Sequence, residues 1–150
     1  MSDLTLPELS KKMRKLDFTM LTTISLEGGV SARPMSNNGD VDYDGDSYFF
    51  AYAQSRKILE IRADNNVGLT YTGAVGMLGG PPLFVDVQGI ASLIEDKAAF
   101  AEHWTSGLDR WFPQGVDTPG LVLIKVVGVR AHYWDGEDEG EIVLKAGGPT

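Results

Sequence analysis

Phe18-Thr19-Met20-Leu21-Thr22-Thr23-Ile24-Ser25, then Leu26-Glu27-Gly28-Gly29, then Val30-Ser31-Ala32-Arg33-Pro34-Met35-Ser36: this stretch decides the fold. Two runs rich in β-branched and other strand-favouring residues flank a short segment that ends in Gly-Gly. Branched side chains suit a pleated surface, and glycine reaches the positive φ that a tight turn needs. The stretch therefore predicts an antiparallel hairpin. Pro34 has no N–H to give to a ladder, so the second run lies at a sheet edge or leaves the sheet.

The same signals recur on both sides. Asp44-Gly45 marks a second turn, and Ser47 to Ala53 reads as a third, aromatic-rich strand expected near the centre of the sheet. Val67 to Thr72, Leu83 to Ile94, Leu121 to Tyr133 and a short Ile142 to Leu144 complete the strands, with Gly89 expected at a bulge. Leu6, Leu9, Met13 and Leu16 share one helical face, with Thr5 or Asp3 as cap and Lys11, Lys12, Arg14 and Lys15 turned to solvent. Ser55 to Ala63 forms a second helix, capped by Ser55, with Ile58, Leu59, Ile61 and Arg62 on its face; Glu95 to Thr105 forms a third. Gly73 to Pro82 and Trp111-Phe112-Pro113-Gln114-Gly115 are loops. The helices do not alternate with the strands, which argues against a parallel βαβ sheet. The expected class is mainly β: one domain over residues 1–150, a small antiparallel barrel with flanking helices, an N-terminal helix in 1–17 and an acidic tail over 135–150.

Composition narrows the function. The net charge of −8 disfavours nucleic-acid and anionic-membrane partners, which need a positive footprint. Cysteine is absent, which excludes disulfides, thiolate metal sites and cysteine nucleophiles. No apolar run approaches the length of a membrane span, and Met1-Ser2-Asp3-Leu4 does not open a signal peptide, so a cytoplasmic protein is expected. Asp135, Glu137, Asp138, Glu139 and Glu141 read as a solvated acidic turn. Asp40, Asp42, Asp44 and Asp46 alternate as calcium ligands do, but Ala51 stands where that loop needs a glutamate, so they read as a turn. His103 and His132 have no partners at triad spacing.

Two segments carry chemistry. Arg33, on the departing edge of the second run, offers a bidentate fork for phosphate, and the free backbone beside it can pair with a planar ligand. Ser55-Arg56-Lys57 opens a helix, whose N-terminus attracts anions. Two cations at that end oppose the helix dipole, a local conflict that an incoming anion would resolve. Motifs of P-loops, dinucleotide-binding folds and zinc proteases are absent.

With Ser31-Ala32-Arg33-Pro34-Met35, Asp44-Gly45-Asp46 followed by Tyr48-Phe49-Phe50-Ala51, Ser55-Arg56-Lys57, Trp111-Phe112-Pro113-Gln114-Gly115 and Tyr133-Trp134-Asp135 in this order, the chain resembles the pyridoxamine-phosphate-oxidase-like FMN-binding split barrels, in their general stress protein branch. The resemblance covers about Leu9 to Asp135. It implies an antiparallel split β-barrel acting as a homodimer, with FMN at the subunit interface. It implies that Arg33 and Lys57 hold the FMN phosphate with Ser55 and Arg56. Arg33, Pro34, Met35 and Ser36 would then follow the isoalloxazine edge, and Phe50, Ala51 and Tyr52 would lie near the ring or ribityl chain. Trp111 of the partner would cover the flavin, with Trp134 the second candidate for that role. The implied activity is a flavin-dependent oxidoreductase on a small molecule. The alternatives are a flavin-sequestering protein and a barrel that binds deazaflavin or haem. Asn38 and Phe84 stand where the vitamin-salvage oxidases carry Lys and Gln, and their C-terminal Arg/His elements have no counterpart here, so pyridoxamine-phosphate oxidation itself is not expected.

Overall fold

A computed structural model describes residues 4–16, 18–36, 43–73 and 81–144. Asn38, Asp40, Asp42 and most of the 73–82 loop lie outside the described residues. The elements are α1 (Leu6–Met13), β1 (Phe18–Ile24), β2 (Val30–Ser36), β3 (Asp46–Tyr52), α2 (Arg56–Ala63), β4 (Asn66–Thr72), β5 (Leu83–Ile94), α3 (Lys97–His103), β6 (Leu121–Asp135) and β7 (Asp138–Val143). Two 3₁₀ turns, Ser106–Arg110 and Gly115–Asp117, occupy the loop before β6.

The strands run β2-β1-β4-β5-β6-β3, with β7 also paired to β6, and every pairing is antiparallel. Among the described residues β2 and β3 pair with no second neighbour, so the sheet curls without closing, as a split barrel does. The Gly28-Gly29 hairpin forms as expected, with Gly28 at φ 94°; the Ser25 N–H donates to the Gly29 carbonyl, the Gly28 N–H to the Ser25 carbonyl and the Gly29 N–H to the Ser25 hydroxyl. Pro34 sits on an edge strand, where its missing N–H costs the ladder nothing.

One long strand organises the rest. β6 pairs along Leu121–Val127 with β3, along Arg130–Asp135 with β7, and on its other side with β5. Between Gln88 and Gly89 the β5 register slips, because Val129 is an extra residue on β6. Its carbonyl accepts from the Leu144 N–H. Gly128 lies where β6 passes closest to the 43–45 turn: a Cβ there would stand 2.7 Å from the Gly45 carbonyl, Tyr43 Oη and Leu144.

The core divides in two. Leu9 and Met13 of α1, Ile58 and Ile61 of α2 and the inward residues of the sheet form the larger cluster. Phe50, Phe100, Phe112, Leu121 and Leu123 form the smaller one under α3 and the 3₁₀ turns. β3 serves both, with Phe49 and Ala51 in the first cluster and Phe50 in the second. This explains its aromatic content and corrects its expected place: β3 is an edge strand, buried on both faces by packing rather than by a central position.

Three further expectations shift. On α2 Ile58 and Ile61 are buried, but Leu59 and Arg62 face solvent while Glu60 is inside. α3 is shorter than the 95–105 pattern, held by the Asp96 side chain at its start. Much of the acidic 135–150 segment is not a tail: Asp138–Val143 folds back as β7, with Glu139 at 2.7 Å from His132 and Glu141 at 3.3 Å from Arg130. No helix among the described residues is long and apolar enough to cross a membrane.

The outer face of the sheet carries an exposed apolar row. Pro34 lies opposite Met20, Phe84 opposite Thr72 and Trp134, and Phe18 beside them on β1. Phe18, Met20, Phe84 and Trp134 are all exposed.

Candidate functional site

α2 lies against β1 at the end of the sheet where β2 is the edge. Its Glu60 carboxylate, fully buried, is the hub of a charged cluster. It accepts from the Thr23 hydroxyl at 2.6 Å, from the Arg33 guanidinium at 2.9 Å and from Arg56 Nε at 3.0 Å. The Thr23 bond does most to hold the carboxyl below the usual glutamate range, with Arg56 and Arg33 adding to it against the opposing effect of burial.

Arg33 projects from the inner side of β2. Beyond Glu60, its donors reach the Leu21 carbonyl at 3.0 Å, the Thr23 hydroxyl at 2.9 Å and the Ser31 hydroxyl at 3.1 Å. Both terminal nitrogens are thus occupied by protein acceptors. Arg56, exposed, is bound by Glu60 through Nε and by Glu27 at 3.0 Å through Nη2. Lys57 differs from both. Among the described residues its ammonium has no hydrogen-bond or ion-pair partner, and it is half-buried. Burial, and then the charge of Arg33, lowers its pKa from the ordinary lysine value. The cluster holds three cations against two carboxylates, and the unmatched charge is on Lys57.

The helix start is open as well. Ser55 occupies the N-cap position, but its hydroxyl donates to the Tyr52 carbonyl at 2.8 Å and caps no helical N–H. The Ile58 N–H bonds the Ser55 carbonyl at 3.1 Å, and among the described residues the N–H groups of Arg56 and Lys57 are left for another acceptor. Beside them Tyr52 is exposed, its ring tilted on Phe112 at 5.1 Å, and its hydroxyl is 3.5 Å from the carbonyl of the exposed Trp111.

The remaining expected residues fall in two groups. Pro34 and Ser36 lie on the exposed face of β2, and Met35 packs inward against the larger core cluster. Phe50 and Ala51 are core residues; the Phe50 ring meets Trp104 at 4.9 Å and Phe100 at 5.8 Å, away from the Arg33 group. The structure thus gathers Arg33, Arg56 and Lys57 at one place and Tyr52, Ser55 and Trp111 near the same helix start. Phe50 is not part of that group. Glu60, Thr23 and Glu27 were not foreseen. The i, i+4 spacing of Arg56 and Glu60 is a sequence signal for their pairing, but nothing local indicates that Glu60 is buried. His103 stacks on Tyr48 at 3.7 Å and His132 on Trp134 at 4.3 Å.

Comparison with known proteins agrees with this architecture. The family model "Pyridoxamine 5'-phosphate oxidase like" matches residues 5–146. The chain belongs to this family. It is 25% identical over 135 residues to Protein bli-3 of Neurospora crassa, covering 84% of this chain but only 62% of that protein's length. General Stress Protein 26 from Bacillus anthracis superposes with a TM-score of 0.72 at 22% identity, over 93% of this chain and 99% of that one. A heme binding protein from Mycobacterium smegmatis has the same fold, with a TM-score of 0.74 at 12% identity over 96% of this chain and 60% of that one.

Proposed function

We propose that this protein binds FMN by its phosphate at Lys57 and the open start of α2, and acts as a flavin-dependent oxidoreductase on a small molecule in the cytoplasm. One observation carries the reading: a half-buried lysine without a partner among the described residues stands beside Arg33 and a helix start whose own cap is turned away, in a member of the pyridoxamine-phosphate-oxidase-like family. The donor set fits a phosphate monoester. Lys57 supplies the ammonium, the first N–H groups of α2 supply oriented donors, and the helix dipole favours the added charge. Tyr52 and Trp111 offer exposed aromatic surface next to that end, and the free edge of β2 offers backbone groups to a flat ring. When bound, flavin supplies the redox chemistry, so the chain's tasks are to hold the phosphate, orient the ring and exclude water.

The exposed row of Phe18, Met20, Phe84 and Trp134 supports the homodimer that goes with this reading, because such a patch on one sheet face is suited to burial against a second copy. A Trp from each chain would then reach the other's flavin. Haem is favoured less, since both histidines are already engaged in ring stacking and His132 also bonds Glu139.

Titration with FMN, followed by flavin fluorescence, tests the binding. Lys57→Ala should weaken FMN by about 1–3 kcal/mol, the range for a charge-assisted bond. An unchanged affinity would remove Lys57 from the site. Anaerobic bleaching of the bound flavin by NADH or NADPH, with reoxidation by an acceptor, separates turnover from storage.

A further inference from the structure

We infer that Glu60 is the charge-setting and positioning residue of the anion site, and that by engaging Arg33 and Arg56 it suits the site to a single phosphate monoester. The inference rests on the flavin-phosphate reading above and deepens it.

Its basis is the distribution of partners around one buried carboxylate. A carboxylate with no exposed surface is retained only when its bonds are met, and Glu60 meets them with Thr23, Arg33 and Arg56. In doing so it takes the guanidinium groups that sequence alone assigns to the phosphate. Arg33 is turned to Glu60, Thr23, Ser31 and the Leu21 carbonyl. Arg56 is clasped between Glu60 and Glu27. Arg33 therefore acts at second hand: it fixes the strand edge to α2 and raises the local potential. Among the three cations only Lys57 is without a carboxylate partner among the described residues, so it is the principal side chain left to bond an incoming anion directly. Three free cations would grip a pyrophosphate or other polyanion as readily as a monoester. One ammonium with a helix start matches a single terminal phosphate.

The buried position also makes a clean test. Glu60→Gln removes the charge but keeps an acceptor for Thr23 and Arg33. Arg33 retains Leu21, Thr23 and Ser31, and Arg56 retains Glu27. The field at Lys57 becomes more positive by one unit, in a partly buried site where charges act at reduced dielectric.

Full-length wild-type protein, Glu60→Gln, Arg56→Gln and Lys57→Gln would be titrated with FMN, and with riboflavin as the probe that lacks phosphate. Glu60→Gln should tighten FMN by about tenfold and leave riboflavin within about twofold, so the FMN/riboflavin ratio rises. A residue with a merely structural role would weaken both. Arg56→Gln, on an exposed side chain, should weaken FMN by less than about fivefold, and Lys57→Gln by more than about tenfold, which tests the partition even if Glu60→Gln does not fold. An FMN/riboflavin ratio that is unchanged or lower in folded Glu60→Gln overturns the role of Glu60. Equal losses in Arg56→Gln and Lys57→Gln do the same. Wild-type protein with no preference for FMN over riboflavin refutes the underlying flavin-phosphate reading, and this inference with it.

Discussion

Lys57 holds its proton less firmly than a lysine in water, first because the folded chain partly desolvates it and then because Arg33 repels it. A bound phosphate opposes both effects by supplying an adjacent negative charge that stabilises the ammonium. The pKa of Lys57 is thus higher in the complex than in the free protein, and binding takes up a proton wherever the free site has lost one. The sign follows: affinity for the phosphate is complete below the depressed value and falls as pH rises through it. We expect the FMN/riboflavin affinity ratio to begin falling before the ordinary lysine range is reached; the ratio cancels ionisation of the flavin ring itself. Titrations from about pH 7 to pH 11 would check this. In Lys57→Arg the fall should disappear from that interval, because a guanidinium keeps its proton. A wild-type ratio that stays level until the ordinary lysine range would contradict the environment described for Lys57.

At the scale of elements, the strands are placed by a few positions where side chains are not tolerated. Gly128 is one. It faces the Gly45 carbonyl, to which its own N–H donates at 2.6 Å, and its Cα leaves no room for a methyl group beside Tyr43 and Leu144. The neighbouring slip at Gly89 lets β6 turn from β3 toward β7. Gly128→Ala should therefore destabilise the fold by about 1–3 kcal/mol, the cost of overpacking, read as a lower urea midpoint with an unchanged slope. Wild-type stability would mean that the 43–45 turn can move aside. α2 shows a different constraint. Its apolar residues alone predict a helix facing the core through Ile58 and Ile61, and that prediction holds. Burial of Glu60 next to them depends on the Thr23 and Arg33 side chains, contributed by residues 37 and 27 positions away.

For the whole molecule, the decisive feature is the face left uncovered. The barrel's inner surface is filled by two apolar clusters, but the row running from Phe18 and Met20 across to Phe84 and Trp134 lies outside both and is exposed within one chain, with Trp134 stacked on His132. A second copy packed there would bury it. Sedimentation of the wild-type protein should therefore give twice the chain mass. The exposed-site double variant Met20→Glu/Trp134→Glu should sediment as a folded monomer, since neither side chain belongs to the core clusters. A dimer that persists in the variant would place the interface elsewhere. If the flavin lies between chains, the same variant loses FMN affinity although Lys57 is intact.

The local rules were legible in the chain. Turn glycines, the edge proline and the helical spacing of Leu6, Leu9 and Met13 each act over a few residues and appear where the pattern puts them; the irregularity expected at Gly89 falls at that level of the ladder, but the extra residue is Val129 on the neighbouring β6. The gathering of Arg33 and Lys57 at one end of the molecule also followed from the sequence, through the order of motifs. Tertiary structure alone decided that β3 is an edge strand between two cores, that β7 continues the sheet through the acidic segment, and that Glu60 claims Arg33 and Arg56. The physical reason is the same in each case. Periodicity reports which side of an element is apolar, but the partner of a charge and the neighbour of a strand are set by which distant segments the closing sheet brings within bonding distance.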